Sequence, residues 1–236
     1  MQFRGKKLRT EHKYYLHIHD YAAMRQRAAS ALTMDPYSVG PDGYCIRSLY
    51  FDGPHDHSLH DKNNGIFKRD KYRIRIYNGE DNVISVERKS KFGEFVCKES
   101  ARISREDYDR ILIGDYEFLK DSSSMLLREF HAALAFRAFR PTAIVDYWRE
   151  AYIYEYGNVR ITFDKRLSAG TNTFDLFHPN LILEEAIPVP RTIMEVKFDS
   201  FLPDFVRKLL QPESHIRSSI SKYVICREVN LSHFKE

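Results

Sequence analysis

The stretch "KYRIRIYNG", residues 71–79, decides the fold because its apolar and charged residues alternate with a period of two. That period is typical of a β-strand, whose successive side chains point to opposite faces. The apolar face holds Tyr72, Ile74 and Ile76. The other face holds Lys71, Arg73, Arg75 and Tyr77. A solvated strand face usually mixes charges of both signs with Ser or Thr, so this ladder of cations needs an explanation.

The composition is that of a soluble globular protein rich in strands. The chain has 236 residues, of which 43% are hydrophobic and 30% charged, and its 15 Tyr and 16 Phe favour strands. This length suits one large β-rich domain, and no repeat divides it, so we predict a single domain over residues 1–236. The net charge of +4 and the pI near 8.8 are mild and do not indicate a nucleic-acid partner.

The cysteines and the apolar runs of the sequence indicate the cellular location of the protein. Cys45, Cys97 and Cys226 form no CxxC pair, which is typical of reduced thiols in a cytosolic protein. The N-terminus lacks the apolar core of a secretory signal, and no apolar run approaches the length of a membrane span. We therefore expect a cytoplasmic location. Cys45 and Cys226 are predicted to be small core residues of apolar strands, and Trp148 to lie in the core.

Alternation and turn residues predict eight strands, mostly joined as hairpins. The predicted strands cover residues 6–19, 43–53, 68–78, 82–90, 94–102, 141–155, 158–167 and 191–199. Helical patterns cover residues 20–32, 104–113, 122–138 and 203–210. Successive hairpins imply an antiparallel sheet that can close on itself. The predicted fold class is therefore α+β, an antiparallel eight-stranded β-barrel with the inserted helices packed on its outside.

Five further strands carry ionic residues at positions i and i+2 of one face, as residues 71–77 do. The first strand, for example, aligns Arg9, Glu11 and Lys13, and the last aligns Glu195 and Lys197. Two arrangements are open. The charged faces can point to solvent, the default for antiparallel sheets, or inward, with the apolar faces covered by helices. The abundance of Arg, the amphipathic helices and the use of small barrels as ligand sites favour the second.

An interior lined by Arg and Lys repels itself unless an anion occupies it, because uncompensated buried charge is costly. Carboxylates on the same faces are too few to neutralise the cations, but they can hold a divalent metal. They are Glu11, Glu87, Asp164 and Glu195. Cations beside a metal site are typical of proteins that bind polyphosphate or a nucleoside triphosphate.

Eight motifs in sequence order resemble the catalytic domain of the vacuolar transporter chaperone (VTC) family, the polyphosphate polymerase branch of the triphosphate tunnel metalloenzymes. The motifs are "RTEHKYYL", "YCIRSLYFD", "KYRIRIYN", "SVERKSK", "RPTAIVDYWREAY", "VRITFDKRL", "IMEVKFDSFLPDFV" and "SISKYV". The resemblance covers roughly residues 8–224. It implies a tunnel with inward basic residues, in which the terminal phosphate of ATP is added to a polyphosphate chain with the help of Mn²⁺ or Mg²⁺.

The resemblance also implies roles for the residues that match the family's motifs. The catalytic basic residues would be Lys13, Arg73, Arg75, Lys89, Arg149, Arg160 and Lys222. The supporting phosphate-binding residues would be Lys98, Tyr147, Lys197 and Ser221. Glu195 matches the carboxylate that holds the metal. No general base is needed, because the terminal phosphate of the acceptor chain is already an anionic nucleophile.

Two alternatives stay open beside the polymerase. One is a hydrolase of triphosphate or a nucleoside triphosphate with the same tunnel fold. Its branch carries ExExK on the first strand, where residues 9–13 read RTEHK, so Arg9 weakens that reading. The other is a non-catalytic polyphosphate-binding module, which has no use for a metal carboxylate such as Glu195. The expected partners are ATP and inorganic polyphosphate, and no nucleic acid is expected. A separate membrane partner protein is compatible with this prediction. The sequence leaves the oligomeric state open.

Overall fold

Eight long strands form the centre of the protein. The computed structural model describes residues 2–3, 6–93, 95–188, 190–211 and 215–233 of the 236. The strands are β1 (Arg9–His17), β2 (Tyr44–Asp52), β3 (Lys68–Tyr77), β4 (Glu80–Phe92), β5 (Phe95–Ile103), β6 (Arg140–Tyr154), β7 (Val159–Gly170) and β8 (Arg191–Phe198). Their bounds agree closely with the strands predicted from the sequence.

Every one of these strands pairs antiparallel with two neighbours, and the pairings close a ring. The order is β7–β8–β1–β5–β4–β3–β2–β6, and β6 pairs in turn with β7. This closure confirms the predicted eight-stranded antiparallel barrel. Short strands extend the sheet at two places, where Thr33–Met34 pairs with β6 and Leu183–Glu185 pairs with β7. A separate short pairing joins Gln2–Phe3 to Lys6–Lys7.

Two tight turns fix the register of the strands that carry the cationic ladder. Asn78 and Gly79 join β3 to β4 with φ values of 53° and 73°, the pattern of a type I′ turn. Gly93 has a φ of 57° and lies in the turn from β4 to β5, where Phe92 pairs with Phe95. A shift of one residue would send every side chain to the opposite face, so these turns determine which residues face the interior.

Helices cover most of the outer face of the barrel. Those described are α1 (Ile18–Ala31), α2 (His57–Asn63), α3 (Arg105–Leu112), α4 (Met125–Phe136), α5 (Asp204–Leu210) and α6 (Lys222–Ser232). Helices α1 and α5 pack against the outer side chains of β1, β7 and β8. Helices α3 and α4 pack against those of β2, β3 and β4. None of the described helices has both the length and the apolar character needed to cross a membrane.

The apolar face of residues 71–77 lies on the outside of the barrel, beneath α4. Tyr72 stacks on Phe130 of α4 with 5.5 Å between the ring centroids. Ile74 and Ile76 are fully buried in the same cluster. Because the side chains of a strand alternate, the cationic face of this strand points into the barrel.

The apolar patch at Tyr223–Cys226 is helical, so the prediction of a strand around Cys226 was wrong. It belongs to α6, which enters the barrel at the end where β2 finishes. The Tyr223 hydroxyl donates to Asp52 Oδ2 at 2.6 Å, and its ring lies 5.1 Å from that of Tyr50. Cys226 is buried as predicted, with no exposed surface. A short apolar run fits a helix as well as a strand, which is why the sequence pattern misled.

Trp148 was also predicted wrongly, because 37% of its surface is exposed. It lies on the outer face of β6 between Ile144, which packs with the α4 cluster, and Tyr152, which packs with the α1 cluster. Alternation placed it correctly on the outer face. The sequence could not show that the two groups of helices leave this point uncovered.

Replacing Phe130 by Ala should lower the free energy of unfolding by about 3–5 kcal/mol, because it removes a buried ring at the contact of α4 with the barrel. Phe130 has no exposed surface, whereas Phe136 on the same helix is 82% exposed. Phe136→Ala is therefore the matched control, with an expected change below about 0.5 kcal/mol. Urea denaturation measures both, and equal effects would contradict the burial of the outer face under α4.

Candidate functional site

The interior of the barrel contains an elongated cavity of about 730 Å³. It runs from Arg69 and Lys91, near the end where α6 enters, to Tyr77 and Arg160 near the opposite end. Its basic lining consists of Arg9, Lys13, Arg69, Lys71, Arg73, Arg75, Lys89, Lys91, Lys98, Arg149, Arg160, Lys197, Arg217 and Lys222. Among the residues that the structure describes, the carboxylates in its lining are Glu11 and Glu195. This excess of positive charge suits a polyanionic ligand.

All the residues predicted for the site line this one cavity. The seven predicted as catalytic are there, namely Lys13, Arg73, Arg75, Lys89, Arg149, Arg160 and Lys222. So are the remaining five, namely Lys98, Tyr147, Lys197, Ser221 and Glu195. The charged faces therefore point inward, which spacing alone had left open. The roles of the individual residues remain predictions.

Some of the lining was not predicted as part of the site. Arg69, Lys71, Lys91 and Arg217 gather near the α6 end. For Lys71 the signal was present, because it shares a strand face with Arg73, two positions further on. Arg217 lies outside the regular strands and helices, so no periodicity could have marked it.

Two carboxylates behind the lining hold guanidinium groups in place. Glu87 accepts hydrogen bonds from Arg73 Nε and Nη2 at 2.8 and 2.6 Å, and one from Lys98 at 2.9 Å. Asp164 accepts from Arg149 Nε and Nη2 at 2.6 and 2.7 Å. Bonds of this kind fix the plane of a guanidinium and leave its remaining N–H donors for a ligand. The cations are therefore oriented before any anion enters.

These carboxylates are ionised because of the cations around them. Burial by itself would raise the pKa of Glu87, but the guanidinium groups of Arg75 and Arg73 hold it well below its usual range. Burial by itself would also raise the pKa of Asp164, but the Arg149 guanidinium reverses this effect and lowers the pKa. The ion pairs are thus fully formed at neutral pH.

Glu11 and Glu195 share ammonium groups in the middle of the cavity. Lys13 Nζ lies 3.2 Å from Glu11 Oε1 and 3.2 Å from Glu195 Oε1. Lys197 Nζ lies 3.7 Å from Glu11 Oε2 and 3.0 Å from Glu195 Oε2. Lys222 donates to Glu195 Oε1 at 3.0 Å. Burial would lower the pKa of Lys13, but Glu195 and Glu11 raise it above its ordinary value, so this ammonium stays charged.

Glu11 and Glu195 are also the carboxylates whose oxygens could coordinate a divalent metal. Over the residues that the structure describes, no group of three or more His, Cys, Asp or Glu side chains is placed to hold a metal ion. Glu11 and Glu195, however, converge on the Lys13 ammonium, so their oxygens face a common point. Mg²⁺ is commonly bound by one or two carboxylates together with substrate phosphates. The pair therefore fits a divalent metal that binds with a phosphate ligand.

Comparisons with known proteins agree with this architecture. A sequence model of the VTC domain matches residues 8–230. No curated protein matches the chain in sequence. A solved structure from Bacillus halodurans, named "putative adenylate cyclase", is 10% identical with a TM-score of 0.54, over 91% of this chain and 94% of that one. Another of that name, from Vibrio parahaemolyticus, is 11% identical with a TM-score of 0.50, over 93% and 97%. At such identities the likeness shows the fold alone.

Inorganic triphosphate should raise the melting temperature, because a ligand that binds only the folded state adds about 2.7 kcal/mol of stability at a hundred times its Kd. In the double variant Arg73→Ala, Arg75→Ala the affinity should fall at least about a hundredfold, since several charge-assisted hydrogen bonds are lost. The rise should then nearly vanish. Arg105→Ala, on the outer helix α3, is the control and should keep the full rise. Differential scanning fluorimetry measures it, and an undiminished rise in the double variant would place those guanidinium groups away from the ligand.

The free energy of unfolding should decline as the pH falls below about 5. Because the folded-state pKa values of Glu87 and Asp164 are lowered, the unfolded chain binds more protons in acid. The stabilisation is complete above the ordinary carboxyl pKa, near 4, and is lost as the pH approaches the lowered values. Urea denaturation at a series of pH values measures this. Glu87→Gln should be less stable at neutral pH and decline less steeply, whereas Glu155→Gln, at an exposed position, should follow the wild type. If the free energy of unfolding declined equally steeply with falling pH in all three proteins, the contribution assigned to Glu87 would be contradicted.

Proposed function

Because the chain belongs to the VTC domain family, we propose that it is an ATP-dependent polyphosphate polymerase. It would transfer the terminal phosphate of ATP to a polyphosphate chain inside the basic tunnel. Family membership supports a function on triphosphate or polyphosphate, and the cationic cavity supports the same class of ligand. The choice of a polymerase over a hydrolase depends on the carboxylates of the cavity.

Ion pairing engages all four carboxylates that the sequence placed on the ionic strand faces, and this observation carries the proposal. The pairs are Glu11 with Lys13 and Lys89, Glu87 with Arg73 and Lys98, Asp164 with Arg149 and Lys222, and Glu195 with Lys13, Lys197 and Lys222. A carboxylate that is ion-paired with Lys or Arg and has a lowered pKa is a poor base for activating water. An acceptor phosphate needs no base, because its terminal oxygen is already an anion. The tunnel thus suits transfer to phosphate better than transfer to water.

The proposed reaction is an exchange of one P–O bond for another. A terminal oxygen of the polyphosphate attacks the γ-phosphorus of ATP and forms a bond to it. The bond from that phosphorus to the β–γ bridging oxygen breaks, and ADP leaves with the bonding electrons. Arg73, Arg75 and Arg149 would neutralise the oxygens of the transferred group, while Lys13 and Lys222 would hold the donor and acceptor phosphates in line.

A divalent metal, Mn²⁺ or Mg²⁺, forms part of the proposal. Glu195 would hold it, with Glu11 beside it, and when bound it would add positive charge against the phosphate oxygens. The ammonium groups of Lys13 and Lys197 contact the same two carboxylates. They keep both carboxylates ionised before a ligand enters.

Arg9 argues against a hydrolase of the same fold. The hydrolase pattern has a carboxylate at this position, where it would serve as a metal ligand. Here the Arg9 guanidinium donates to the carbonyl of Asn158 at 2.5 Å and lies 3.3 Å from Asp199 Oδ1. A non-catalytic polyphosphate-binding module is disfavoured by Glu195, since a carboxylate in the lining of the cavity opposes the binding of an anion unless a metal binds to it.

Location and domain organisation complete the proposal. All three cysteines are free thiols, which supports a cytoplasmic location. The strands of the closed ring come from residues 9 to 198, which supports one domain over residues 1–236. ATP and inorganic polyphosphate would be its partners.

Incubation of the full chain with terminally labelled ATP, a polyphosphate primer and Mn²⁺ or Mg²⁺ tests the proposal. We expect label in long chains, resolved by gel electrophoresis. Lys222→Met should slow the transfer at least about a hundredfold, because it removes a donor from the centre of the cavity. Lys120→Met, at an exposed position, is the matched control and should react at the wild-type rate.

Two other outcomes would overturn the polymerase. Label recovered only as free phosphate, with either metal, would identify a hydrolase. Label that stays in ATP, although polyphosphate still raises the melting temperature, would identify a binding module.

A further inference from the structure

The guanidinium of Arg160, on β7, reaches across β6 near the end of the cavity that lies away from α6. Its Nη2 atom donates to Asp35 Oδ2 at 2.5 Å and to the Tyr44 hydroxyl at 2.7 Å. β7 pairs with one edge of β6, whereas β2 and the short strand Thr33–Met34 pair with the other edge. The side chain of Arg160 therefore joins two parts of the wall that β6 separates.

Asp35 is placed by its own backbone and by the turn that follows it. It is buried, with 3% of its surface exposed, and its N–H donates to the Ala151 carbonyl of β6 at 2.8 Å. Its Oδ1 accepts from Tyr37 N at 3.0 Å, as in an Asx turn, which leaves Oδ2 for Arg160. The carboxylate lies behind the guanidinium rather than in the lining of the cavity. It would therefore act on a ligand only through Arg160.

The loop of residues 36–43, which follows Asp35, is tied to the outer wall of the barrel. Arg25 of α1 donates to the Pro41 carbonyl at 3.0 Å and to Glu150 Oε2 at 3.0 Å. Glu150 belongs to β6 and has no exposed surface. Asp35 is thus held by contacts that do not involve Arg160, so its carboxylate is a fixed partner for the guanidinium.

The attraction of Asp35 is what keeps the Arg160 guanidinium in this orientation. Lys197 lies directly opposite Arg160 in the register of β7 and β8, and like charges so placed repel each other. The Arg160 side chain is 35% exposed, so solvent is open to it. A long side chain also gains rotamer entropy when it is released. Without Asp35, repulsion and entropy would both move the guanidinium away from the cavity.

Arg160 keeps donors for a ligand while it is bound to Asp35. No described residue accepts a hydrogen bond from its Nη1 atom, so the two N–H groups there are available to an anion in the cavity. α6 fills part of the interior at its own end. A nucleotide would therefore enter at the end where Arg160 lies, with its phosphates pointing inward.

We propose that Asp35 is a positioning residue of the donor site, which holds the Arg160 guanidinium across β6 so that its remaining N–H groups bind phosphates of the nucleotide. The inference rests on the proposed function for the identity of the nucleotide, but it concerns binding and is tested without turnover. Its consequence is that an anion, Asp35, strengthens the binding of another anion. Charge alone predicts the opposite, because removing a negative group near an anion site should tighten binding.

Isothermal titration calorimetry of the full chain with Mg²⁺ and the β,γ-imido analogue of ATP tests this role. Asp35→Asn keeps the size of the side chain and an oxygen for Tyr37 N, but its amide nitrogen cannot accept from Arg160. Binding should weaken at least about fivefold, the effect of a lost charge-assisted hydrogen bond. Asp42→Asn, in the same loop at a side chain that is 79% exposed, is the matched control and should bind within about twofold of the wild type.

A double-mutant cycle shows whether Asp35 acts through Arg160. Arg160→Met should weaken binding at least about tenfold, and Asp35→Asn should then change it by less than about twofold. An equal loss from Asp35→Asn in both backgrounds would show a purely structural effect and overturn the proposal. Unchanged or tighter binding by Asp35→Asn alone would overturn it as well.

If Arg160→Met does not fold, because it leaves a buried carboxylate without its cation, the double variant is compared with Asp35→Asn instead. The further loss should then be less than about threefold, and a further tenfold loss would show that Arg160 binds the nucleotide without Asp35. In the transfer reaction, Asp35→Asn should raise the KM for ATP and leave kcat within about twofold; a lower kcat at an unchanged KM would contradict the role. A protein that binds the analogue as expected but transfers no label would lose the proposed function and retain the role of Asp35.

Discussion

The ion pairs that Glu87 and Asp164 make with Arg73 and Arg149 are the interactions on which the tunnel depends. A barrel whose strands send Arg and Lys inward can fold only if most of those charges are compensated, because an uncompensated buried ion costs several kcal/mol. Both carboxylates lie behind the guanidinium groups rather than in the lining of the cavity. They therefore stabilise the cations and orient their donors, and the surface that a ligand meets stays positive.

Helix α6 gives the interior its asymmetry. Near the end where it enters, Cys226 packs with apolar inner side chains of β6 and β7, such as Val145 and Leu167, in one buried cluster. This part of the interior is filled, and the cations at the same end lie on β3, on β4 and, with Arg217, on the segment before α6. Asp52 anchors the helix through the Tyr223 hydroxyl. A polyanion passing this end would consequently lie along the β3–β4 hairpin, beside the hydroxyl groups of the segment before α6.

Much of this architecture could be predicted from the period-two pattern, because alternation and turn residues determine strands, hairpins and shared faces. Alternation shows which side chains share a face, but it does not show whether that face points inward or outward. It grouped Arg73 with Arg75. Only the family resemblance and the need to cover Ile74 and Ile76 indicated that the two guanidinium groups point into the barrel. The helix at Cys226 was missed because a short apolar run carries no clear period. The ladders of β3 and β4 also contain Lys71 and Lys91, but the family resemblance implied no role for them. Arg217 lies in a segment without any period.

The compensation of basic side chains by carboxylates differs along the cavity, and this difference bears on the proposed reaction. Carboxylates are concentrated at the centre, in ion pairs with Lys13 and Lys222. Within the described residues no carboxylate forms an ion pair with Lys71 or Lys91, whose nearest acidic neighbours, Asp52 and Glu11, act on them from farther away. An acceptor chain would therefore meet ammonium groups without a direct ion pair toward the α6 end. In the proposed reaction each transfer would lengthen the chain by one phosphate, and the chain would have to move by one phosphate before the next donor could bind. The cations near the α6 end would attract the growing chain, and this attraction would help to clear the reaction centre for the next nucleotide.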